Sequence, residues 1–232
     1  MAKKTFFVTG TDTEVGKTYV TVALLKAAAN VGLQTLALKP VAAGAEETPE
    51  GLRNEDALAL ADAMTLSLPY EQLNPAVFKT PASPHIAAAL DGKSASVSRL
   101  AGFCRGAMMQ SYDLGFVEGA GGWRVPINDR ENLAQLVQAL DLPVILVVGM
   151  RLGCLNHALL TAEAIRHDGL HLAGWVANRI DPAMGFPEEN INTLKGALRA
   201  PCLGVIPHAT CSGSAEPWRN LKIDFLLNDS TS

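Results

Sequence analysis

The stretch Thr9–Thr18, which reads TGTDTEVGKT, constrains this chain more than any other segment. It follows the apolar segment Thr5–Val8 and precedes the helical pattern Val20–Ala29. A glycine-bearing loop between a strand and a helix directs backbone N–H groups and a helix N-terminus toward one small volume, which suits a phosphate chain. In this pattern Lys17 reaches the β- and γ-phosphates, and the Thr18 hydroxyl ligates Mg²⁺. The sequence therefore predicts a nucleotide-binding protein.

The loop departs from the general phosphate-loop pattern at one position. Thr11 stands five residues before Gly16, where that pattern has glycine, and Gly10 lies one residue earlier. The alternative is a chance Gly-Lys-Thr at the start of a helix. We favour a longer variant of the phosphate loop, because strand, loop and helix all fall where phosphate binding requires them.

Length and composition narrow the class of protein. A chain of 232 residues, 48% of them hydrophobic, can bury one full core, so we expect residues 1–232 to form a single α/β domain, weakly patterned from about residue 211. A net charge of −4 without a basic stripe argues against nucleic-acid binding. The apolar runs are too short for a signal peptide or a membrane span. Four scattered cysteines lack metal-ligand spacing and are typical of buried thiols in a reducing cytosol, so a cytoplasmic protein is expected.

Strand-like and helical runs alternate along the chain. Most of the strand-like runs are continuously apolar, as expected of strands covered on both faces. The pattern predicts a doubly wound, mainly parallel α/β sheet with helices on both faces. The predicted strands are Thr5–Thr9, Thr35–Lys39, Leu114–Glu118, Val144–Gly149, Leu172–Asn178 and Leu203–Ile206. The predicted helices are Lys17–Ala29, Glu55–Met64, Pro84–Leu90, Ser98–Ser111, Glu131–Leu140, His157–Asp168 and Glu188–Arg199. The polar segment Glu46–Asn54 is predicted to be a loop.

Polar residues where strands end indicate the site, because ligands of such sheets collect beyond the carboxyl ends of the strands. Lys39 ends the second predicted strand, and Glu118 ends the third before a run of glycine and alanine. Glu118 suits a Mg²⁺ ligand beside phosphates. The alternatives are a snorkelling surface lysine and a solvated loop glutamate. Asp56 is either a metal ligand or a charge that favours the start of its helix. Trp175 is predicted to be core, whereas Arg124 either contacts a ligand or is a solvated arginine.

Seven blocks, in order and spanning the chain to about Pro207, resemble the dethiobiotin synthetase family. They are Thr9–Thr18, Lys39–Val41, Thr48–Leu58, Val117–Trp123, Leu142–Val148, Gly153–Ala158 and Gly174–Asn178. The resemblance implies an ATP- and Mg²⁺-dependent cyclo-ligase that joins 7,8-diaminononanoate and CO₂ into dethiobiotin, through a carbamate and a carbamic–phosphoric anhydride. It also implies a homodimer, with the diamine at the interface between the two copies.

By the same resemblance, Lys39 and Lys17 are the catalytic residues, and Thr18, Asp56 and Glu118 hold Mg²⁺. Asn178 would read the adenine edge with its amide. The residues implied to contact ATP are Thr13, Glu14, Val15, Gly16, Lys17, Thr18, Tyr19, Asp56, Glu118, Gly119, Ala120, Gly121, Asn178, Arg179, Pro207, His208 and Glu216. Those implied to contact the substrate are Ala43, Ser83, Gly122, Cys154 and Asn190.

Two positions depart from the family pattern: Ala43 replaces a hydroxyl residue, and Asn190 replaces a tyrosine. Two other hypotheses stay open. One is an ATP-dependent switch of the chromosome-partitioning or metal-insertion type, but those proteins carry a lysine five residues before the Gly-Lys lysine, where this chain has Asp12. The other is a non-catalytic nucleotide-binding paralogue, which the changes at Ala43 and Asn190 leave open.

Overall fold

Six parallel strands form the main sheet of the computed structural model, which describes residues 3–208 and 216–228. The strands are β1 (Lys4–Gly10), β2 (Thr35–Leu38), β7 (Leu114–Glu118), β8 (Val144–Gly149), β9 (Leu172–Asn178) and β10 (Cys202–Ile206). They lie in the order β10-β9-β8-β1-β7-β2, so the phosphate-loop strand β1 is central. The pairing of every neighbouring pair is parallel, which confirms the predicted fold class.

Helices cover both faces of this sheet. Because successive residues of a strand point to opposite faces, Phe7 packs into one apolar cluster while Phe6 and Val8 pack into the other. The helices are α1 (Lys17–Asn30), α2 (Glu55–Ala63), α3 (Tyr70–Leu73), α4 (Pro84–Leu90), α5 (Val97–Ala107), α6 (Leu133–Leu140), α7 (Cys154–His167), α8 (Pro187–Ala197) and α9 (Asp224–Leu227), with a 3₁₀ turn at Pro217–Asn220. Within the described residues, no helix is long and apolar enough to cross a membrane.

Two helices begin at a different residue from the predicted one, because the residue that precedes each helix sets its start. The predicted helix Glu131–Leu140 begins at Leu133, because Asn132 forms a capping box with Gln135. Helix α7 begins at Cys154, three residues before the predicted start, directly after Gly153 with a φ of 95°.

The predicted loop Glu46–Asn54 is wrong in part. The segment forms an antiparallel hairpin of β4 (Glu46–Thr48) and β5 (Gly51–Arg53), in which Pro49 and Glu50 make the turn. A second small sheet pairs β3 (Val41–Ala42) with β6 (Ala76–Val77). These short strands carry too few residues to show a hydrophobic period.

The tail predicted to be weakly patterned from about residue 211 is only partly described, since residues 211–215 and 229–232 lie outside the described residues. Between residues 216 and 228, the 3₁₀ turn and α9 pack on the domain. Leu221, Ile223 and Leu226 are buried there in the same cluster as Val20 of α1.

Candidate nucleotide-binding and catalytic site

The phosphate loop connects β1 to the N-terminus of α1 in a tightly packed turn. Gly16 has a φ of 81°, and a Cβ atom there would overlap the Asn178 amide nitrogen. A Cβ atom on Gly10 would lie 2.6 Å from a methyl group of Val15. Glycine is therefore required at both positions, by backbone conformation at Gly16 and by close approach at Gly10.

Lys17 is a buried cation at the base of this loop. Its Nζ donates to the backbone oxygen of Asp12 at 3.0 Å, and its side chain is 7% exposed. Burial, and after it the neighbouring charge of Lys39, lowers the pKa of Lys17 from 10.5 to about 8. Two buried cations side by side suit a highly charged anion between them.

Lys39 lies between two carboxylates directly after β2. Its Nζ is 2.7 Å from Glu118 Oε1 and 2.8 Å from Asp56 Oδ2, and it also donates to the Gly119 oxygen at 3.3 Å. Lys39 is 3% exposed and Glu118 is fully buried, so the alternatives of a snorkelling lysine and a solvated glutamate are wrong. Burial by itself would lower the pKa of Lys39, but the charges of Glu118 and Asp56 outweigh it and raise that pKa.

The oxygen atoms next to Lys39 form a donor set that fits a hard divalent cation. The Thr18 hydroxyl donates to Glu118 Oε1 at 2.7 Å, and the buried Glu118 Oε2 has no hydrogen-bond partner among the described residues. The Asp56 side chain is about half exposed at the start of α2. Burial raises the pKa of Asp56, but the charge of Lys39 outweighs it and lowers that pKa, so the carboxyl stays ionised. Carboxylate and hydroxyl oxygens beside phosphates are the usual setting of Mg²⁺.

An open cleft of about 690 Å³ lies above these groups, and eleven of the predicted residues line it. Glu118 and Gly119 lie at its base, where both contact the Lys39 ammonium. A Cβ atom on Gly122 would lie 3.7 Å from the Gly10 oxygen, which places Gly122 against the phosphate loop. The predicted residues that line the cleft are Thr13, Glu14, Gly16, Lys17, Thr18, Lys39, Ala43, Asp56, Ser83, Ala120 and Gly121.

A second group of predicted residues lies on the other side of the phosphate loop, at the ends of β9 and β10. The Asn178 Nδ2 donates to the Val15 oxygen at 2.9 Å, and the Arg179 amide donates to the Ile206 oxygen. Pro207 and His208 directly follow β10. Tyr19 is exposed on the first turn of α1, and Glu216, which pairs with Arg219, precedes the 3₁₀ turn.

Cys154 and Asn190 lie apart from the described residues that line the cleft. Cys154 begins α7 and is buried, and burial raises the pKa of its thiol. Asn190 is on α8, where its Nδ2 donates to the Phe186 oxygen at 2.8 Å.

Two residues that support the loops of the site, Arg151 and Asp168, are not predicted from the sequence. Arg151, just after β8, forms an ion pair with Asp12 of the phosphate loop at 2.7 Å. Its position at the carboxyl end of a strand is the sequence feature that could have indicated a place in the site. Asp168 accepts from the Trp123 indole at 2.7 Å and from Arg124 at 2.8 Å, so it anchors the glycine loop that follows Glu118. Arg124 is thus paired and half exposed. Trp175 is fully buried, which confirms its assignment to the core.

The parallel sheet, the phosphate loop with Lys17 at the start of α1, and Lys39 directly after β2 define a P-loop nucleotide-binding protein. The MinC:MinD cell division complex of Aquifex aeolicus contains the same fold, with a TM-score of 0.57 and 16% identity over 95% of this chain and 87% of that one. The signal recognition particle receptor FtsY of Elizabethkingia anophelis, solved with GDP, matches with a TM-score of 0.58 and 13% identity over 99% of this chain and 65% of that one.

Sequence comparison gives the family. A family model described as an AAA domain matches residues 4–215. The ATP-dependent dethiobiotin synthetase BioD of Cellvibrio japonicus is 56% identical over 228 residues, which cover 98% of this chain and all of that protein. BioD of Marinobacter nauticus is 54% identical over 93% of each chain. The chain therefore belongs to the dethiobiotin synthetase family of ATP-dependent ligases, as the seven blocks predicted, and neither a partitioning-type switch nor a non-catalytic paralogue is favoured.

Proposed function

We propose that this chain uses ATP to carboxylate 7,8-diaminononanoate with CO₂ and to close the product into dethiobiotin, a step of biotin biosynthesis. The observation that carries the proposal is the pair of buried lysines at the phosphate loop, Lys17 and Lys39, of which Lys39 is held between Glu118 and Asp56. Phosphoryl transfer depends on positioning the reactants and on stabilising the charge that spreads over the transferring group. Fixed cations in a cleft supply both.

The reaction needs three steps. One amine of the diamine attacks CO₂ and loses a proton, which gives a carbamate. A carbamate oxygen then attacks the γ-phosphorus in line, and the bond to the β-phosphate breaks to release ADP. The second amine attacks the carbonyl carbon of the resulting anhydride, loses a proton and expels phosphate. Lys17 would hold the phosphate chain, while Lys39 would hold the carbamate against the γ-phosphate.

We assign the metal site to Thr18, Asp56 and Glu118. The unpaired Glu118 Oε2 and the Asp56 carboxylate supply the charge that Mg²⁺ requires, and the Thr18 hydroxyl already touches Glu118. When bound, Mg²⁺ would neutralise part of the charge of the β- and γ-phosphates. The chain's own role is to hold these three oxygens beside the phosphate loop.

The adenine would lie on the side of the phosphate loop where Asn178, Arg179, Pro207 and His208 meet. One N–H of Asn178 Nδ2 donates to the Val15 oxygen, so the second N–H and the amide oxygen remain to donate to and accept from the adenine edge. Glu216 is the predicted contact from the chain segment after residue 215.

We further propose that the protein is a homodimer. Leu152, Leu160 and Phe186 are 95%, 57% and 75% exposed, and they lie on or next to α7 and α8, the helices that carry Cys154 and Asn190. Exposed large apolar side chains on or beside two helices of one molecule are the kind of group that an interface buries. A second copy seated here would bring the predicted substrate residues of one copy toward the cleft of the other.

We also propose that the chain forms a single domain and lies in the cytoplasm. One continuous main sheet with apolar clusters on both faces supports a single domain. Cys104, Cys154 and Cys202 are unpaired thiols, which suits a reducing compartment.

Mass spectrometry tests the reaction directly. Purified protein with ATP, Mg²⁺, bicarbonate and 7,8-diaminononanoate should form dethiobiotin, and ADP release should depend on the diamine. Lys39→Ala should abolish product while ATP still binds, whereas Lys26→Ala, an exposed lysine of α1, should behave as wild type. ATP hydrolysis that ignores the diamine and yields no dethiobiotin would overturn the proposal.

A further inference from the structure

The short helix α3, which carries none of the motif residues, holds the backbone of Lys39. Lys39 lies one residue beyond β2, so the strand ladder does not pair its backbone groups. The Lys39 amide donates to the Leu73 oxygen at 2.9 Å, and the Asn74 side chain donates to the Lys39 oxygen at 2.6 Å. Both backbone groups of the proposed catalytic lysine therefore depend on α3 and the residue after it.

The hydroxyl of Tyr70, also in α3, connects this support to the helix that carries Asp56. It donates to Asn74 Oδ1 at 3.0 Å and accepts from the Asn54 amide at 2.7 Å. Asn54 in turn caps α2, where its Oδ1 accepts from the Ala57 amide. Asn74 and Asn54 are 1% and 7% exposed, so the bonds from Asn74 to Lys39 and from Ala57 to Asn54 lie away from water, where such bonds are strong, while the two bonds of the Tyr70 hydroxyl are partly buried.

We propose that Tyr70 is a positioning residue for the phosphoryl-transfer step. Through Asn74 and Asn54, its hydroxyl holds Lys39 and Asp56 at the separation that lets one ammonium contact both Asp56 and Glu118. This inference rests on the proposed function, and Tyr70 is not among the described residues that line the cleft. The Arg53 guanidinium packs over the Tyr70 ring at 4.2 Å, so the ring stays in place when only the hydroxyl is removed.

The chain offers a matched control for removal of a hydrogen-bonded tyrosine hydroxyl. The Tyr112 hydroxyl bonds the Thr5 hydroxyl at 2.7 Å, and its ring is buried. Tyr112 precedes β7 and Thr5 lies early in β1, so this pair is at the amino end of the sheet, opposite the cleft. Tyr70→Phe and Tyr112→Phe therefore remove the same group, one beside the site and one far from it.

The first measurement compares the kinetics of the two variants. Tyr70→Phe should lower kcat for dethiobiotin formation about tenfold, with KM for ATP and diamine within about twofold, because misplacement of a catalytic group affects the transition state. Tyr112→Phe should keep kcat within about twofold of wild type. Equal losses in both variants, or a rise in KM alone, would overturn the proposal.

A second measurement needs no substrate. Acetylation of lysines by an N-hydroxysuccinimide ester, read by mass spectrometry, should modify Lys39 at least about fivefold faster in Tyr70→Phe, because the ammonium leaves its paired position. In Tyr112→Phe the rate at Lys39 should equal that of wild type. An unchanged rate in Tyr70→Phe overturns the positioning role. Wild-type protein that forms no dethiobiotin would instead overturn the proposed function, while the labelling rates would still decide the role of Tyr70.

A double variant tests the route through Asn74. If Tyr70 and Asn74 act as one unit, Tyr70→Phe/Asn74→Asp should lower kcat no more than the stronger single variant does. Asn74→Asp keeps the acceptor for the Tyr70 hydroxyl but loses the donor to Lys39. Losses in kcat that multiply would overturn the connection through Asn74.

Discussion

The Lys39 ammonium lies 2.7 Å from the Glu118 carboxylate, and both side chains are almost completely buried. Such a pair costs desolvation free energy on folding, and attraction between the partners offsets that cost only while both are present. The half-exposed Asp56 adds a second carboxylate at 2.8 Å. One ammonium is thus shared by two carboxylates at the place where phosphate chemistry is proposed.

The first prediction concerns stability. Lys39→Met leaves the Glu118 charge buried without a cation and should lower the free energy of unfolding by about 3–5 kcal/mol. Lys39→Met/Glu118→Gln should recover most of this loss, because the charge is also removed. Urea unfolding at pH 7 measures both, with Lys79→Met as control, since the Lys79–Glu47 pair is exposed and should contribute little. A double variant no more stable than Lys39→Met would contradict the prediction.

The second prediction concerns metal binding without nucleotide. The Lys39 ammonium contacts the same two carboxylates to which Mg²⁺ is assigned, so the lysine and a divalent cation compete for them. Lys39→Met should bind Mn²⁺ at least about tenfold more tightly than wild type, as measured by electron paramagnetic resonance. The double variant Lys39→Met/Glu118→Gln should lose this increase in Mn²⁺ affinity. The control Lys26→Met should bind Mn²⁺ as the wild type does. Equal affinity in Lys39→Met and wild type would place the metal elsewhere.

The sequence was sufficient to predict the main sheet and the strand-end residues. Continuous apolar runs such as Val144–Gly149 are characteristic of strands covered on both faces, and the phosphate loop orients the sheet. The location of Lys39 and Glu118 in the site could then be predicted, because the carboxyl ends of parallel strands meet at one edge of the sheet. The contact between Lys39 and Glu118 could not be predicted, since it depends on how far each side chain extends into the same volume.

The roles of Tyr70 and Asn74, which support Lys39 and the start of α2, could not be predicted for a different reason. Tyr70 and Asn74 belong to a four-residue helix and its cap, which are too short for any hydrophobic period. Their roles come from hydrogen bonds to Asn54 and Lys39, 16 and 35 residues away in the chain. The predicted contact of Cys154 and Asn190 with the substrate stays a prediction. In a single copy of the chain, both residues lie apart from the described residues that line the cleft.

The third prediction concerns pH. Burial, followed by the charge of Lys39, lowers the pKa of Lys17 from 10.5 in the unfolded chain to about 8 in the folded one. Between these values the unfolded state holds more protons, so this group makes the unliganded protein more stable as pH rises from about 8 to 10.5. Phosphate binds the protonated lysine. The affinity for ATP should therefore fall as pH rises above 8, and the decrease should approach about tenfold for each further pH unit.

Isothermal titration calorimetry between pH 7 and 9.5 measures this dependence for wild type and Lys17→Arg. Arginine stays protonated throughout, so whatever affinity Lys17→Arg retains should not fall as steeply with pH. A wild-type affinity that stays constant to pH 9.5 would show that Lys17 is not the titrating group in phosphate binding.

The fourth prediction concerns assembly. Leu152 is 95% exposed two residues before α7 begins, and a charge there would oppose burial against a second copy. Leu152→Glu should shift the protein from dimer to monomer in sedimentation velocity runs. It should also lower kcat/KM for the diamine more than for ATP, because Cys154 and Asn190 of one copy would no longer reach the cleft of the other. Met109→Glu, at a residue that is 84% exposed and follows α5, is the matched control and should remain dimeric with wild-type kinetics. A wild-type monomer that forms dethiobiotin would contradict the dimer, and a Leu152→Glu dimer would exclude this face as the interface.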